Sequence, residues 1–158
     1  IRQVLAFMEK EADRRCIAVN IVVKGKIPLF ESDHGNLQQI FLNLINNAFA
    51  AMADGGQLDI LVAYRKGDPI EVTVSDNGHG IPEDDIKRIF EPFFSTRAQN
   101  VGTGLGLSIT YGLVTEMGGH ITVESRVDQG TRFTVTVPVK QDGDHRDPHT
   151  DTHETGTP

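Results

Sequence analysis

Hydrophobic positions along this chain switch between helical and extended spacing, and the switches mark its elements. Val4, Leu5, Met8 and Ala12 recur at helical intervals within a charged stretch and predict a helix over Val4–Arg15. From Ile17 to Val23 β-branched residues alternate, which reads as a strand. Pro28 and Glu31-Ser32-Asp33 punctuate, and a long helix follows over Asn36–Ala53. Its apolar stripe is Leu37, Ile40, Phe41, Leu44, Ile45, Ala48 and Met52, and Asp54-Gly55-Gly56 ends it. Leu58–Tyr64 and Ile70–Ser75 read as a hairpin joined through Lys66-Gly67-Asp68-Pro69. Pro82–Gly102 is a long, partly irregular connection with a short helix near Glu83–Phe90. Connections of that length in a compact domain usually serve as functional lids. Leu105–Met117 is helical and closed by Gly118-Gly119, and His120–Ser125 and Thr131–Val139 are strands around Asp128-Gln129-Gly130.

After Lys140 the pattern stops. Gln141–Pro158 has no large apolar residue and cannot bury enough surface to offset its ordering entropy, so disorder is expected there. His145, His149 and His153 recur every fourth residue, but Pro148 among them excludes a helix, and a solvated tail is expected rather than a metal site. The 158 residues suit one domain, and a net charge of −7 argues against a nucleic-acid or acidic-membrane partner. Cys16 is the only cysteine, so it has no intramolecular disulfide partner, and it reads as a small apolar packing residue. No run approaches the roughly 20 apolar residues of a membrane span. Ile1-Arg2-Gln3-Val4 reads as the interior of a longer protein.

Candidate chemistry concentrates between Asp76 and Gly106, where two glycine clusters flank an aromatic stretch. Glycine permits close approach to the backbone, and a glycine turn that opens a helix aims N–H groups and a positive dipole end at an anion. Asp76 at a strand end offers a carboxylate suited to an exocyclic amine, although Asp76-Asn77-Gly78 is also ordinary turn chemistry. His79 is expected to be exposed rather than catalytic. Asn43 and Asn47 lie one turn apart beside the apolar stripe, with Asn46 turned further away; amide oxygens there suit Mg²⁺ or simple structural pairing. Gly102-Thr103-Gly104-Leu105-Gly106 is neither a P-loop nor a dinucleotide fingerprint. Phe90, Phe93 and Phe94 suit core, a lid anchor, or both.

Together these segments resemble the ATP-binding catalytic domain of bacterial sensor histidine kinases, within the gyrase, heat-shock chaperone, histidine kinase and mismatch-repair ATPase superfamily. Gln38–Met52 looks like the N box, Asp76–Pro82 the first glycine box, Phe90–Thr96 the F box, and Gly102–Leu107 the second glycine box. Gly130-Thr131-Arg132-Phe133 resembles the final glycine-threonine motif. The likeness covers Ile17 to Val139, and its wording is closest to the nitrogen-regulation type. It implies an α/β two-layer sandwich, a mixed sheet of about five strands with three helices on one face. It divides the chain into a dimerisation-helix end and linker over 1–15, a catalytic domain over 16–140 and a tail over 141–158.

The same resemblance implies that Asp76 binds the adenine amine of ATP, with Thr131 nearby through water. Asn47, helped by Asn43, would hold Mg²⁺. Gly102, Gly104, Leu105 and Gly106 would present N–H groups to phosphates, with Thr103 and Leu107 in the same box. Gly78, Gly80, Ile81, Phe90 and Thr96 would complete the site, Ile81–Val101 would form a mobile lid, and Arg97 would reach the γ-phosphate. Two departures stand out: Ala50 occupies a position where many relatives carry a lysine or arginine, and no histidine lies in a phosphoacceptor context. Related hydrolases place a glutamate where Asn43 stands, so phosphotransfer to a histidine on a separate dimerisation domain is the first expectation. The alternatives are an anti-sigma-type serine kinase and a non-catalytic nucleotide-gated module. The expected partners are that dimerisation domain and a downstream response regulator. The fragment is expected to be a monomer from a homodimeric parent, and a cytoplasmic domain whose parent has room for a membrane anchor.

Overall fold

The computed structural model describes residues 1–30, 32–95 and 103–139. In chain order these form α1 (Arg2–Arg14), β1 (Ala18–Lys24), α2 (His34–Ala51), β2 (Gln57–Ala63) and β3 (Ile70–Asp76). The short α3 (Glu83–Ile86), then α4 (Gly106–Glu116), β4 (His120–Arg126) and β5 (Gly130–Val137), complete the set. The strands make one sheet in the order β1-β2-β3-β5-β4. Only the β1–β2 pair is parallel, so the sheet is mixed. This is the expected α/β architecture. The tail over 141–158 and the middle of the expected lid lie outside the described residues.

Period-two alternation gives the sheet one apolar face. Residues paired across the ladders point to the same side, so register turns the alternation into rows. Ile60, Val74, Phe133 and Val123 form one row, and Val62, Val72, Val135 and Ile121 the next. Helix α2 covers this face through Ile40, Leu44, Ile45 and Ala48, each buried, and packs on β3 and β5. Helix α4 packs on α2, β4 and β5, while α1 docks on α2. The opposite face is polar: Thr73 and Thr134 meet at 3.5 Å, and Arg132 Nε donates to Ser75 Oγ at 3.2 Å.

Several boundaries differ from expectation for local reasons. Helix α2 starts at His34 because the Asp33 carboxylate caps it, accepting the Asn36 N–H at 2.9 Å. The helix near Glu83 is only four residues long. Beyond it the chain winds on as three-residue turns, with the Arg88 N–H on Asp85 O and the Glu91 N–H on Arg88 O, both at 2.8 Å. Strand β5 stops at Val137 because Pro138 has no N–H for the ladder.

Two side-chain expectations are corrected. Cys16 is exposed rather than packed, because it takes the left-handed position that ends α1, at φ 51°. The flanking bonds from the Cys16 N–H to Asp13 O and the Ile17 N–H to Ala12 O define that helix stop. Phe93 is not core: it is 76% exposed at φ 65°, held by its backbone instead of its ring.

Candidate functional site

Between α2, the sheet and the start of α4 lies a cleft of about 390 Å³, large enough for a small ligand. Its floor continues the apolar rows of the sheet. One row further along, the register replaces apolar residues with Asp76, Thr131 and Ser125, neighbours across β3, β5 and β4. The same alternation that buries Val74 and Phe133 therefore delivers a polar triplet to the end of the buried face.

Asp76 is half-buried, and the surrounding protein displaces water from it. That desolvation raises its carboxyl above the ordinary range, only partly countered by the Gly78 and Thr131 backbone N–H groups and by nearby His79. The Gly78 N–H bond measures 2.8 Å. Thr131 is 5% exposed, so its hydroxyl has little solvent to satisfy it and instead meets Ser125 Oγ at 2.9 Å. Ser125 also accepts the Ile81 N–H at 2.8 Å, joining the first glycine cluster to the β4–β5 hairpin.

The other end of the cleft is built where α2 meets α4. Asn43 Nδ2 donates to Gly106 O at 3.0 Å and to Thr110 Oγ1 at 3.2 Å, while its Oδ1 accepts from Gln39 Nε2 at 2.9 Å. Asn47 lines the cleft one turn further along, and Asn46, although exposed, also reaches its edge. Helix α4 has no side-chain cap and no acidic residue in its first turn. Its leading N–H groups have no partner within the helix, and its positive dipole end lies beside the cleft through Gly106 and Leu107.

The glycines act mainly through packing. A Cβ on Gly78 would sit 2.5 Å from Ala51 O, and one on Gly80 would sit 2.0 Å from Arg126 O. Gly104, at φ 67°, is pressed against the Phe93 backbone, and its carbonyl accepts the Phe93 N–H at 3.0 Å. That clasp joins the two ends of the connecting segment.

Of the residues singled out from sequence, Asn43, Asn47, Asp76, Gly80, Ile81, Thr103, Gly104, Gly106, Leu107 and Thr131 all line this cleft. Gly78, Phe90 and Leu105 are not among its lining residues. Phe90 meets Tyr111 in a tilted ring pair with centroids 5.3 Å apart, tying the segment to α4. Thr96, Arg97 and Gly102 lie outside the described residues. His79 is exposed, as expected, yet its ring borders the cleft with Nδ1 2.7 Å from Gly80 O. Sequence reasoning missed Ser125, Gln39 and Thr110. Only the inward parity of Ser125 on its strand pointed to a role.

Among the described residues lining the cleft there is no lysine or arginine, and no cluster of three or more histidine, cysteine or acidic residues suits a metal. The available donors are amide oxygens. They fit Mg²⁺, which takes few protein ligands when phosphates and water supply the rest, and do not fit a cation caged by protein alone. An acceptor-lined end opposite a helix N-terminus can hold a base with an exposed amine at one side and phosphates at the other. No helix among the described residues is long and apolar enough to cross a membrane.

Known proteins share this fold. Residues 32–141 match the family described as histidine kinase-, DNA gyrase B-, and HSP90-like ATPase. Sporulation kinase A of Bacillus subtilis (strain 168) is 37% identical over 140 residues, covering 89% of this chain and 23% of that protein. The catalytic domain of histidine kinase ThkA, in a nucleotide-free form, superposes with a TM-score of 0.76 at 31% identity, covering 87% of this chain and 89% of the other. Full-length ShkA in complex with AMPPNP gives 0.78 at 33%, covering 87% of this chain and 29% of that one. The chain spans 20% to 30% of the length of the first curated relatives it matches, which include sporulation kinases and the sensor kinase ZraS. They do not single out the nitrogen-regulation type. With the match running over more than half of its length, this chain belongs to the histidine kinase-, DNA gyrase B-, and HSP90-like ATPase family, among the catalytic domains of sensor histidine kinases.

Proposed function

We propose that this chain binds Mg-ATP in the cleft and donates the γ-phosphate to a histidine on a separate dimerisation domain of a two-component sensor kinase. One observation carries the reading: a single cleft has Asp76 and Thr131 at one end and the uncapped start of α4 at the other. Asp76 would accept the adenine amine, with Thr131 beside it. Gly104, Leu105 and Gly106 would offer backbone N–H groups to the phosphates, joined by Gly102, while Thr96 and Arg97 would contribute from the lid. Asn47 and Asn43 would supply amide oxygens to Mg²⁺, which neutralises phosphate charge when bound. The absence of cationic side chains along the described cleft makes that neutralisation necessary.

Phosphotransfer is favoured over hydrolysis by the chemistry at position 43. An amide has no basic atom with which to activate water, and that of Asn43 is already engaged, its N–H₂ group on Gly106 O and its oxygen on Gln39. A neutral imidazole is already a nucleophile and needs positioning more than activation. This chain would bind and orient the nucleotide, and the partner domain would bring the acceptor. A response regulator would receive the phosphate next, from a homodimeric parent; a ThkA structure has been solved in complex with the response regulator TrrA.

The test supplies the chain with a dimerisation domain and γ-labelled ATP. Label should appear on the acceptor as an acid-labile phosphohistidine. Acid-stable label on a serine, or no transfer by a chain that binds ATP, would contradict the proposal.

A further inference from the structure

Behind the base end of the cleft, three contacts converge on Ser125 Oγ. The Ile81 N–H donates to it at 2.8 Å, the Gly130 carbonyl lies 2.9 Å away, and Thr131 Oγ1 lies 2.9 Å away. Chemistry fixes the direction of the first two. An N–H is only a donor, a carbonyl oxygen only an acceptor, and a serine hydroxyl has one proton and two lone pairs. Ile81 occupies one lone pair of Ser125, and Gly130 takes its proton. One arrangement is left for the third contact: Thr131 donates its own proton to the remaining lone pair. The Thr131 rotor is then set, with its proton turned toward Ser125 and its free lone pairs left for the cleft it lines.

Asp76, paired with Thr131 across the β3–β5 ladder, is acceptor-only when ionised. We infer that Ser125 orients the Thr131 hydroxyl so that Thr131 and ionised Asp76 both present acceptors at the base end of the cleft, selecting a purine with an exocyclic amine over one with a carbonyl there. This rests on the ATP reading above. The adenine amine finds an acceptor directly or through one water. The carbonyl of hypoxanthine, itself an acceptor, finds no donor in that pair. Ser125 acts through Thr131 and touches no ligand, so it is a positioning residue.

The test measures ATP and inosine triphosphate affinities calorimetrically for wild type, Ser125→Ala and Ser125→Thr. In Ser125→Ala the freed Thr131 hydroxyl can turn and donate to the inosine carbonyl, so the preference for ATP should fall about three- to tenfold, one neutral hydrogen bond's worth. Ser125→Thr keeps the hydroxyl and should keep the preference. If Ser125 only buttressed the Ile81 turn, both affinities would drop together with their ratio unchanged, and the inference would be overturned. Thr131→Val provides an independent route should Ser125→Ala fold poorly. It should lower the same ratio, and adding Ser125→Ala to it should change the ratio no further. An unchanged ratio in Thr131→Val also overturns the inference. A folded wild type that binds neither nucleotide defeats the ATP reading and this inference with it. Wild type that binds ATP, with variants of unaltered ratio, defeats the inference alone.

Discussion

Asp76 shows how a ligand site is held against the preference of the fold. Its carboxyl is raised above the ordinary range chiefly by desolvation, so the ionised form costs stability in the ligand-free protein. A carboxyl raised in the folded state contributes its full stability below its unfolded pKa and loses that contribution as pH rises through the folded value. Above that folded value the contribution is gone. Asp76→Asn should therefore melt at or above the wild-type temperature at any pH above the raised pKa, while losing nucleotide affinity. The gap should narrow as pH falls through the raised pKa toward the ordinary carboxylate range. A variant clearly destabilised above that pKa would show that the carboxylate's bonds to the Gly78 and Thr131 N–H groups outweigh its desolvation. Asp76 was legible in the sequence because a carboxylate at a strand end before Asn-Gly-x-Gly is conspicuous. Ser125 was barely so, because strand parity turns it inward but only register sets it beside Thr131.

At the scale of elements, Asn43 fastens α2 to the first turn of α4. Its amide orientation follows from its partners, since Gly106 O accepts only and Gln39 Nε2 donates only. Asn43→Ala should cost about 1–2 kcal/mol through the lost bonds to Gly106 and Thr110, read by denaturant unfolding. Asn43→Asp keeps the shape but turns a carboxylate oxygen toward a carbonyl, and should cost at least as much. An aspartate variant as stable as wild type would mean that the clamp is unimportant. The long elements were legible because α2 and the central strands carry unbroken periodicity. Boundaries were less so: α2 begins at His34 through the Asp33 side-chain cap, and Glu83 opens one helical turn before tighter turns take over. Cys16 and Phe93 misled for a shared reason. Each occupies a left-handed backbone position, which composition does not reveal and which sends the side chain outward.

Across the whole molecule, one alternation of strand residues does two jobs. Its apolar rows form the core under α2, and its last row sets Asp76 and Thr131 in the cleft with Ser125 behind them. Core and site are thus one surface, which is why a resemblance carried by separated motifs converged on a single cavity. In the proposed function, transfer to a histidine needs a second domain, whereas nucleotide binding would rest with this chain. The most direct measurement is a calorimetric titration of the chain with ATP and ADP, with and without Mg²⁺, beside Asp76→Asn. Wild type should show saturable binding that strengthens with Mg²⁺ and is lost in the variant while its fold persists. Wild-type-like binding by Asp76→Asn, or none by the folded wild-type chain, would contradict it.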